Sequence, residues 1–387
     1  MISNKQNGVM RLITAISVVT VLLQTPQLLK LSFINYILWP IVVVFLIIKC
    51  DFKLSTTSFG KTFAGLYFLV LLFCILCGLF QEQYLRSNYL KIILLPVCMY
   101  WVGSQLMTWS DENQIDHYFN WYIAAAIVLA VTLQIKYVPS FAMWKMTTQY
   151  LYDDKNSAAQ ILASAILICI DKIKKSKSKK VEAVLISMAI YLFFVICLLQ
   201  CRTAMLALAC ALVIRGFMYA KNKLRVICAM GLVGVMLYCI PAVNSFIKQA
   251  LLLNVYKGAD INTFSSGRLS NYQRTIETIW QNPIIGCGKW YVDEFYISII
   301  AELGILIGGL VILIWFWRVH LSFKRLKNCG YYALIVSLTI YYLITSVLEA
   351  YPPFGPGSCA FLFWIFCGYL DSKSTTEIKG EYLDEIN

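Results

Sequence analysis

Long apolar segments alternate with short polar segments along almost the whole chain. The apolar runs lie near residues 10–25, 33–48, 61–80, 89–108, 118–138, 156–171, 181–200, 203–220, 225–241, 292–317, 330–349 and 358–370. Most approach the ~20 residues that an α-helix needs to cross a bilayer. Lipid offers no hydrogen-bond partners, so each crossing segment must pair its own backbone groups, as a helix does. The pattern predicts an all-α, polytopic integral membrane protein with about 12 transmembrane helices in a single transmembrane domain, residues 1–387.

Composition agrees with this fold class. The chain is 60% hydrophobic and only 14% charged, whereas about a quarter of the residues in a soluble domain are charged. The net charge of +13 lies mostly in short loops between apolar runs. That placement is typical of topology control and of contact with anionic lipid. We therefore expect membrane lipid, and no nucleic acid, among the partners.

Four short basic connections indicate the orientation of the chain. They lie at residues 49–61, 171–180, 215–225 and 318–327. With twelve helices, all four fall on one side together with both termini, and loops rich in Lys and Arg stay in the cytoplasm. The pattern predicts cytoplasmic termini, a cytoplasmic tail at 371–387, and one long extracytoplasmic segment at 242–291, between helices nine and ten.

This long segment has a helical pattern of its own. Apolar residues recur at helical spacing from Val243 onward, which predicts a helix lying on the membrane surface. Ser-Ser-Gly at 265–267 interrupts the pattern, residues 268–281 resume it, and "NPIIGCG" at 282–288 is rich in turn residues. A second helix and a turn-rich connection are therefore expected before helix ten.

Several arginines fall on the predicted outer face. Arg202 lies between two apolar helices with almost no loop; it either extends to the interface or binds an anion in a cavity. Arg268, Arg274 and Arg86 lie at the same face. One guanidinium group can bind two phosphate oxygens at once and remains charged. Arg274 could instead pair with Glu277 on a helix surface.

Three carboxylates lie where helix ten begins. Asp293 and Glu294 are candidate general bases, and Glu302 lies about two turns further into the predicted helix. A carboxylate at membrane depth often marks a binding site, but a structural role for Glu302, as a cap or a partner of another helix, remains open. The two histidines, His117 and His320, fall on the cytoplasmic side. The sequence contains no nucleotide motif and no metal-ligand spacing.

Three motifs in the second half of the chain resemble one family. They are "CRTAML" (201–206), "SSGRLSNYQRTIETIWQNPIIGCGKW" (265–290) and "DEFYISIIAELGILIGG" (293–309), and "NSAAQIL" (156–162) is also similar. Together they resemble the O-antigen ligase and O-antigen polymerase superfamily of bacterial membrane glycosyltransferases. The matching positions are Arg202, Thr203, Gly267, Arg268, Asn282, Pro283, Gly286 and Gly288.

One departure indicates a branch of that superfamily. In the pattern of this superfamily, ligases carry His or His-Asn at the positions where this chain has Asp293 and Glu294. An acidic residue at that position is common among polymerases. The resemblance therefore implies a polymerase of O-antigen, capsule or exopolysaccharide repeat units at the outer face of the bacterial cytoplasmic membrane. It implies a polyprenyl-diphosphate-linked glycan donor and acceptor, a flippase and a chain-length regulator as protein partners, and no cofactor.

The residues also predict roles within this function. Asp293 or Glu294 would act as the base, and Arg202, Arg268, Arg274, Arg86 and Glu302 would contact substrate. Two alternatives remain. One is a ligase that transfers a finished glycan to lipid A or protein. The other is a transporter or flippase of lipid-linked glycan, which should show internal repeats and broken helices.

Overall fold

The computed structural model describes residues 4–49, 57–109, 112–137, 144, 154–253, 258, 260–265, 267–324, 330–355 and 360–384. Over these residues the chain is helical and contains no β-strand, which confirms the all-α fold class. Parts of the basic connections at 49–61 and 318–327, and residues 385–387 of the predicted tail, lie outside the described residues.

The helices follow the predicted apolar runs closely. They are α1 Asn4–Leu22, α2 Asn35–Lys49, α3 Ser58–Gly78, α4 Asn88–Trp109, α5 Glu112–Tyr137, α6 Lys155–Lys175, α7 Lys179–Leu198, α8 Arg202–Tyr219, α9 Lys223–Cys239, α10 Pro241–Ala250, α11 Ile261–Phe264, α12 Arg268–Gln281, α13 Phe295–Lys324, α14 Tyr332–Leu348 and α15 Phe361–Asp384. Two short 3-10 helices are Leu29–Ile34 and Glu82–Arg86. Each of the predicted runs coincides with one of these helices.

Seven helical segments in the described part of the chain are long and apolar enough to cross a membrane. They are Leu29–Ile48, Ser58–Gly78, Asn88–Leu106, Asn113–Lys136, Lys155–Lys175, Lys179–Leu198 and Phe295–Lys324. Shorter apolar helices span Gly8–Leu22 and Tyr332–Leu348. Exposed apolar side chains along α3 and α7, such as Phe68 and Ile190, suit contact with lipid. The total of about 12 crossings and the orientation stay predictions.

The centre of the bundle depends on close contact between α4 and α15. A Cβ atom on Gly103 would lie 1.9 Å from the carbonyl oxygen of Ile365, and one on Gly368 would lie 1.9 Å from that of Tyr100. Small residues of this kind let two helix backbones approach each other, which is a common packing solution in membranes. The helices of the core therefore lie too close for any side chain at these two positions.

Helix α13 is broken in its first third. Gly304 has φ +73° and ψ 173°, which lies outside the helical region and is open essentially to glycine alone. A Cβ atom there would lie 2.0 Å from the carbonyl oxygen of Ile284. The sequence predicted helix ten as continuous, and that prediction is wrong at this point. The three glycines in "ELGILIGG" (302–309) did not signal the break, because glycine is common within transmembrane helices.

A preceding segment satisfies the backbone groups at this break. We call residues 282–288 the docking loop. The N–H groups of Cys287 and Gly288 donate to the carbonyls of Ala301 and Glu302, each at 2.9 Å. In return, the N–H group of Ile305 donates to the Pro283 carbonyl at 2.9 Å. The broken helix and the turn-rich loop therefore form one hydrogen-bonded unit.

The predicted long segment contains helices α10, α11 and α12, which the docking loop follows. Helix α10 begins at Pro241 and ends at Ala250, and α12 covers the whole of the second predicted helix. Gly267 precedes α12 with φ +79°, which confirms the predicted interruption. Residues 254–257, 259 and 266 of the segment lie outside the described residues.

Buried ion pairs join α6 to α8 and α13 to α15. The Arg215 guanidinium lies 2.9 Å from a carboxylate oxygen of Asp171. The Arg318 guanidinium, fully buried, contacts Asp371 at 2.5 Å. Three of the four basic connections thus begin at a residue of a buried ion pair: Asp171, Arg215 or Arg318.

Candidate functional site

Five chain segments converge at the end of the bundle that carries the long segment. They are the first turns of α6, α8 and α12, the connection from α12 to α13, and the residue that follows α14. Polar side chains sit at helix ends because helix interiors here are filled with apolar packing. This convergence brings together residues that are far apart in sequence.

Arg268 occupies the centre of this convergence. Its Nε lies 3.8 Å from a carboxylate oxygen of Asp293, and its Nη2 lies 3.5 Å from one of Glu349. The Arg268 side chain is 22% exposed, while the Glu349 side chain is 10% exposed. Both contacts are longer than a close ion pair, so the guanidinium lies between two carboxylates without forming a bidentate pair with either.

Glu349 is held by polar groups from two further helices. The side-chain amide of Asn156 donates to Glu349 Oε2 at 2.8 Å, and Thr203 also bonds to this carboxylate. The Cys201 thiol in turn donates to Asn156 Oδ1 at 3.1 Å. Burial raises the pKa of Glu349 to about 7, and the charge of Asp293 adds to this, although Arg268 opposes it.

Asp293 faces the more open side of the same cluster. Its side chain is 40% exposed, and the Tyr291 hydroxyl donates to Asp293 Oδ1 at 2.7 Å. The Tyr272 hydroxyl donates to the Asp293 backbone carbonyl at 3.1 Å. Burial, followed by the hydrogen bond to Asp293, raises the pKa of Tyr291 well above its usual value. Asp293 is therefore a carboxylate that solvent or a substrate can reach.

Glu294 has a different environment from its neighbour. Its two carboxylate oxygens accept hydrogen bonds from the backbone N–H groups of Tyr296 and Ile297, so it caps the first turn of α13. The residue is 6% exposed, and burial raises the pKa of its carboxyl group. Of the two predicted bases, the geometry favours Asp293.

Glu302 is fully buried and joins two helices. Its Oε1 accepts hydrogen bonds from the Ser87 hydroxyl at 2.7 Å and the Asn88 backbone N–H at 2.5 Å, which caps the N-terminus of α4. No hydrogen-bond partner for Oε2 lies among the described residues. This arrangement favours the structural alternative for Glu302, and its predicted contact with substrate stays a prediction.

The remaining predicted arginines lie around the cluster. Arg202 begins α8 between Cys201 and Thr203, both of which belong to the hydrogen-bond network around Glu349. Arg86 is exposed and pairs with Glu82 at 2.5 Å. The guanidinium carbon of Arg274 lies 5.8 Å from the centre of the Trp290 ring. Arg202 therefore lies between two residues of the Glu349 network, and Arg274 lies against Trp290.

Arg274 lines a polar pocket of about 380 Å³, which we call the Arg274 pocket. Its lining residues are Asn88, Asn271, Arg274, Thr275, Lys289, Trp290 and Tyr291. Because the Tyr291 hydroxyl also bonds to Asp293, a single aromatic side chain connects this pocket to the carboxylate cluster. The two features together form one candidate site.

Sequence reasoning missed three residues of this site as functional candidates. Glu349 is a single acidic residue directly after an apolar helix, in "SVLEAYPP" (346–353), and that isolation was the available signal. Asn156 stood inside a family-like motif but was not singled out. Tyr291 is one of 24 tyrosines, and nothing in its local sequence distinguishes it.

The described residues include no group of three or more His, Cys, Asp or Glu side chains that could hold a metal ion. The functional groups that the described residues bring to the site are guanidinium, carboxylate and phenol groups. Such a set can neutralise an anionic leaving group and accept a proton from a hydroxyl.

Comparison with known proteins gives a family match. A search among curated proteins gave no match. Residues 187–304 match the family model described as O-antigen ligase. The matched segment contains Arg202, Arg268, Arg274 and Asp293 and both halves of the contact between the docking loop and α13. This match supports the resemblance of the chain to the superfamily of O-antigen ligases and O-antigen polymerases.

Proposed function

We propose that the protein polymerises polyprenyl-diphosphate-linked oligosaccharide repeat units at the outer face of the bacterial cytoplasmic membrane. The observation that carries this proposal is the position of Arg268 between Asp293 and Glu349, next to a pocket that contains two further cations. The cluster pairs a reachable carboxylate with groups that stabilise negative charge.

The reaction assigns a role to each of these groups. An acceptor sugar hydroxyl loses its proton to Asp293 as its oxygen bonds to the anomeric carbon of the donor glycan. The bond from that carbon to the diphosphate oxygen breaks, and polyprenyl diphosphate leaves with the electron pair. Arg268 and Arg202 offset the charge that develops on the leaving group. The Tyr291 hydroxyl orients Asp293 through its hydrogen bond.

The acidic residue at position 293 favours polymerisation over ligation. In the resemblance described above, ligases carry histidine where this chain has Asp293 and Glu294. A ligase would use the same leaving group but transfer the glycan to lipid A or protein. The products therefore differ: a polymerase extends a lipid-linked glycan in steps of one repeat unit, whereas a ligase makes one transfer to a different acceptor.

The transporter alternative predicted broken helices, and α13 contains a break. Backbone groups at this break hydrogen-bond to the docking loop of the same chain, whereas the broken helices of transporters form a substrate or ion site. The break therefore gives no support to a transport pathway, and the cluster around Arg268 supports an enzyme.

Reconstitution in vesicles would test the proposed function. Purified protein supplied with a lipid-linked repeat unit should yield a ladder of products that differ by one repeat. Asp293→Asn and Arg268→Ala should each lower the rate by about 30- to 1,000-fold, because each removes a charged group from a partly desolvated site.

Glu277→Gln is the matched control. Glu277 is an exposed carboxylate on α12 that hydrogen-bonds with Gln273, so this variant should retain the wild-type rate. A full product ladder from Asp293→Asn and from Arg268→Ala would refute the assignment. A single transfer to lipid A, with no ladder, would identify a ligase.

A further inference from the structure

The two cations of the Arg274 pocket have no acidic counterpart there. No carboxylate lines the pocket, and within the described part of the chain neither Arg274 nor Lys289 forms an ion pair. Arg268, by contrast, lies between two carboxylates. The positive charge available to an anionic ligand is therefore concentrated in the Arg274 pocket.

The Trp290 ring in this pocket is fixed in position. Its Nε1–H donates to the Thr275 hydroxyl oxygen at 3.0 Å, and that hydroxyl donates to the Asn271 carbonyl at 2.7 Å. Thr275 is 1% exposed, so this anchor belongs to the rigid interior. Arg274 lies over the same ring. The pocket therefore offers an ordered aromatic surface beside a fixed positive charge.

Side-chain amides complete the lining. Asn88 and Asn271 stand at the pocket wall, and each amide can both donate and accept a hydrogen bond. These three features suit one ligand. The aromatic face can contact the C–H surface of a sugar ring, the amides can bind its hydroxyl groups, and the cations can bind a negatively charged substituent.

We propose that the Arg274 pocket binds a sugar residue that carries a negatively charged substituent, either a ring carboxylate or a phosphate. This inference rests on the proposed function, because the pocket meets the carboxylate cluster at Tyr291 and would hold part of the glycan substrate next to Asp293. A uronic acid within the repeat unit and a glycosyl phosphate at the end of a donor present the same chemistry to this pocket.

Ligand-observed NMR on the purified protein in nanodiscs would test the inference. The probes are glucose, glucuronic acid, glucose 1-phosphate and inorganic phosphate. Wild-type protein should bind at least one of the two anionic sugars about three- to tenfold more tightly than glucose, as expected for exposed cations acting together. Whether the carboxylate or the phosphate probe is preferred identifies the source of the charge.

Variants separate the contributions of charge and ring. The double substitution Arg274→Gln and Lys289→Gln should remove the preference for anionic sugars, and Trp290→Ala should weaken binding of all three sugars. The control is Lys248→Gln, which removes a cation from α10, outside the pocket, and should bind as wild type does. The preference for anionic sugars over glucose should not depend on protein concentration. It should decline with added salt.

Three results would overturn the inference. They are equal affinity for glucose and both anionic sugars, an unchanged preference in the double variant, or inorganic phosphate binding as tightly as the sugars with no effect of Trp290→Ala. If the preference is absent while Asp293→Asn still abolishes polymerisation, the pocket assignment is wrong and the proposed function stands. If the preference is present while Asp293→Asn and Arg268→Ala polymerise normally, the pocket assignment stands and the proposed function is wrong.

Discussion

Glu349 should make the binding of an anionic donor depend on pH. Burial raises the pKa of its carboxyl group to about 7, so it changes charge near neutral pH. With Glu349 protonated, Arg268 and Asp293 sum to zero charge; with Glu349 ionised, the three groups sum to −1. A diphosphate bound to Arg268 therefore meets one additional negative charge above the pKa.

The magnitude follows from the geometry. Glu349 lies 3.5 Å from the Arg268 guanidinium, so a phosphate on the other side of that group would lie about 7 Å from the carboxylate. At an effective dielectric constant of about 20, this repulsion is about 2 kcal/mol, or about 30-fold in affinity. KM for the donor should therefore rise with pH through about 7, by up to this factor.

Glu349→Gln removes the titrating group and keeps its shape. The variant should show a low donor KM with no rise between about pH 5 and pH 9, and should match the wild type at the acidic end. Initial rates of repeat-unit joining in vesicles, measured against donor concentration, supply KM. Glu277→Gln should keep the wild-type profile. An identical rise in KM in wild type and Glu349→Gln would refute the reasoning.

The same titration affects stability in a defined direction. The folded protein favours the neutral form of Glu349, so its folded pKa lies above the ordinary 4.5. The associated stability is present below about pH 4.5 and is lost as pH rises through about 7. A rise from 4.5 to about 7 corresponds to about 3 kcal/mol. The melting temperature of the wild type should therefore fall across this window relative to Glu349→Gln.

Three further predictions concern the backbone break, the first arginine of α8 and the topology. Gly304→Ala should destabilise the protein by at least about 3 kcal/mol, since its backbone conformation and its contact with the docking loop both exclude a Cβ atom; Gly309→Ala, with open space around it, should leave the melting temperature nearly unchanged. Arg202→Lys should retain part of the polymerisation activity and Arg202→Ala almost none per inserted molecule, as judged from chain length on gels; full activity of the Lys variant with normal specific activity of the Ala variant would remove Arg202 from the site. A reporter active only outside the cytoplasm should be active after Asn262 and silent after Ser176, and the reverse pattern would invert the predicted orientation.

Sequence pattern predicted the helices well and the break in α13 not at all. Apolar runs specify helices because the bilayer leaves the backbone no other solution, and amphipathic spacing was sufficient for α10 and α12. Gly304 differs, because "ELGILIGG" contains three glycines, and glycine is also common in unbroken transmembrane helices. Its conformation depends on a docking loop that approaches from outside the helix, and such a tertiary contact leaves no local signal.

The candidate site was predictable in part for a similar reason. Arg268 and Asp293 are 25 positions apart and belong to neighbouring motifs, so the family pattern brought them together. Glu349 reaches the same cluster from the far end of α14, and only packing of α14 against α8 places it there. Charge at a helix end predicts that a residue is near a membrane surface, but not which other helix end it meets.

The joined loop and helix impose an order on membrane assembly. While α13 enters the bilayer, carbonyls freed by a break at Gly304 would face hydrocarbon, at a cost of several kcal/mol for each unpaired group. The docking loop supplies hydrogen-bond partners for the carbonyls of Ala301 and Glu302. A break formed before the loop docks would lack these partners, so we expect the long segment to reach its final position before, or together with, the completion of α13. Synthesis in chain order makes this possible, since residues 282–288 emerge before the helix that needs them.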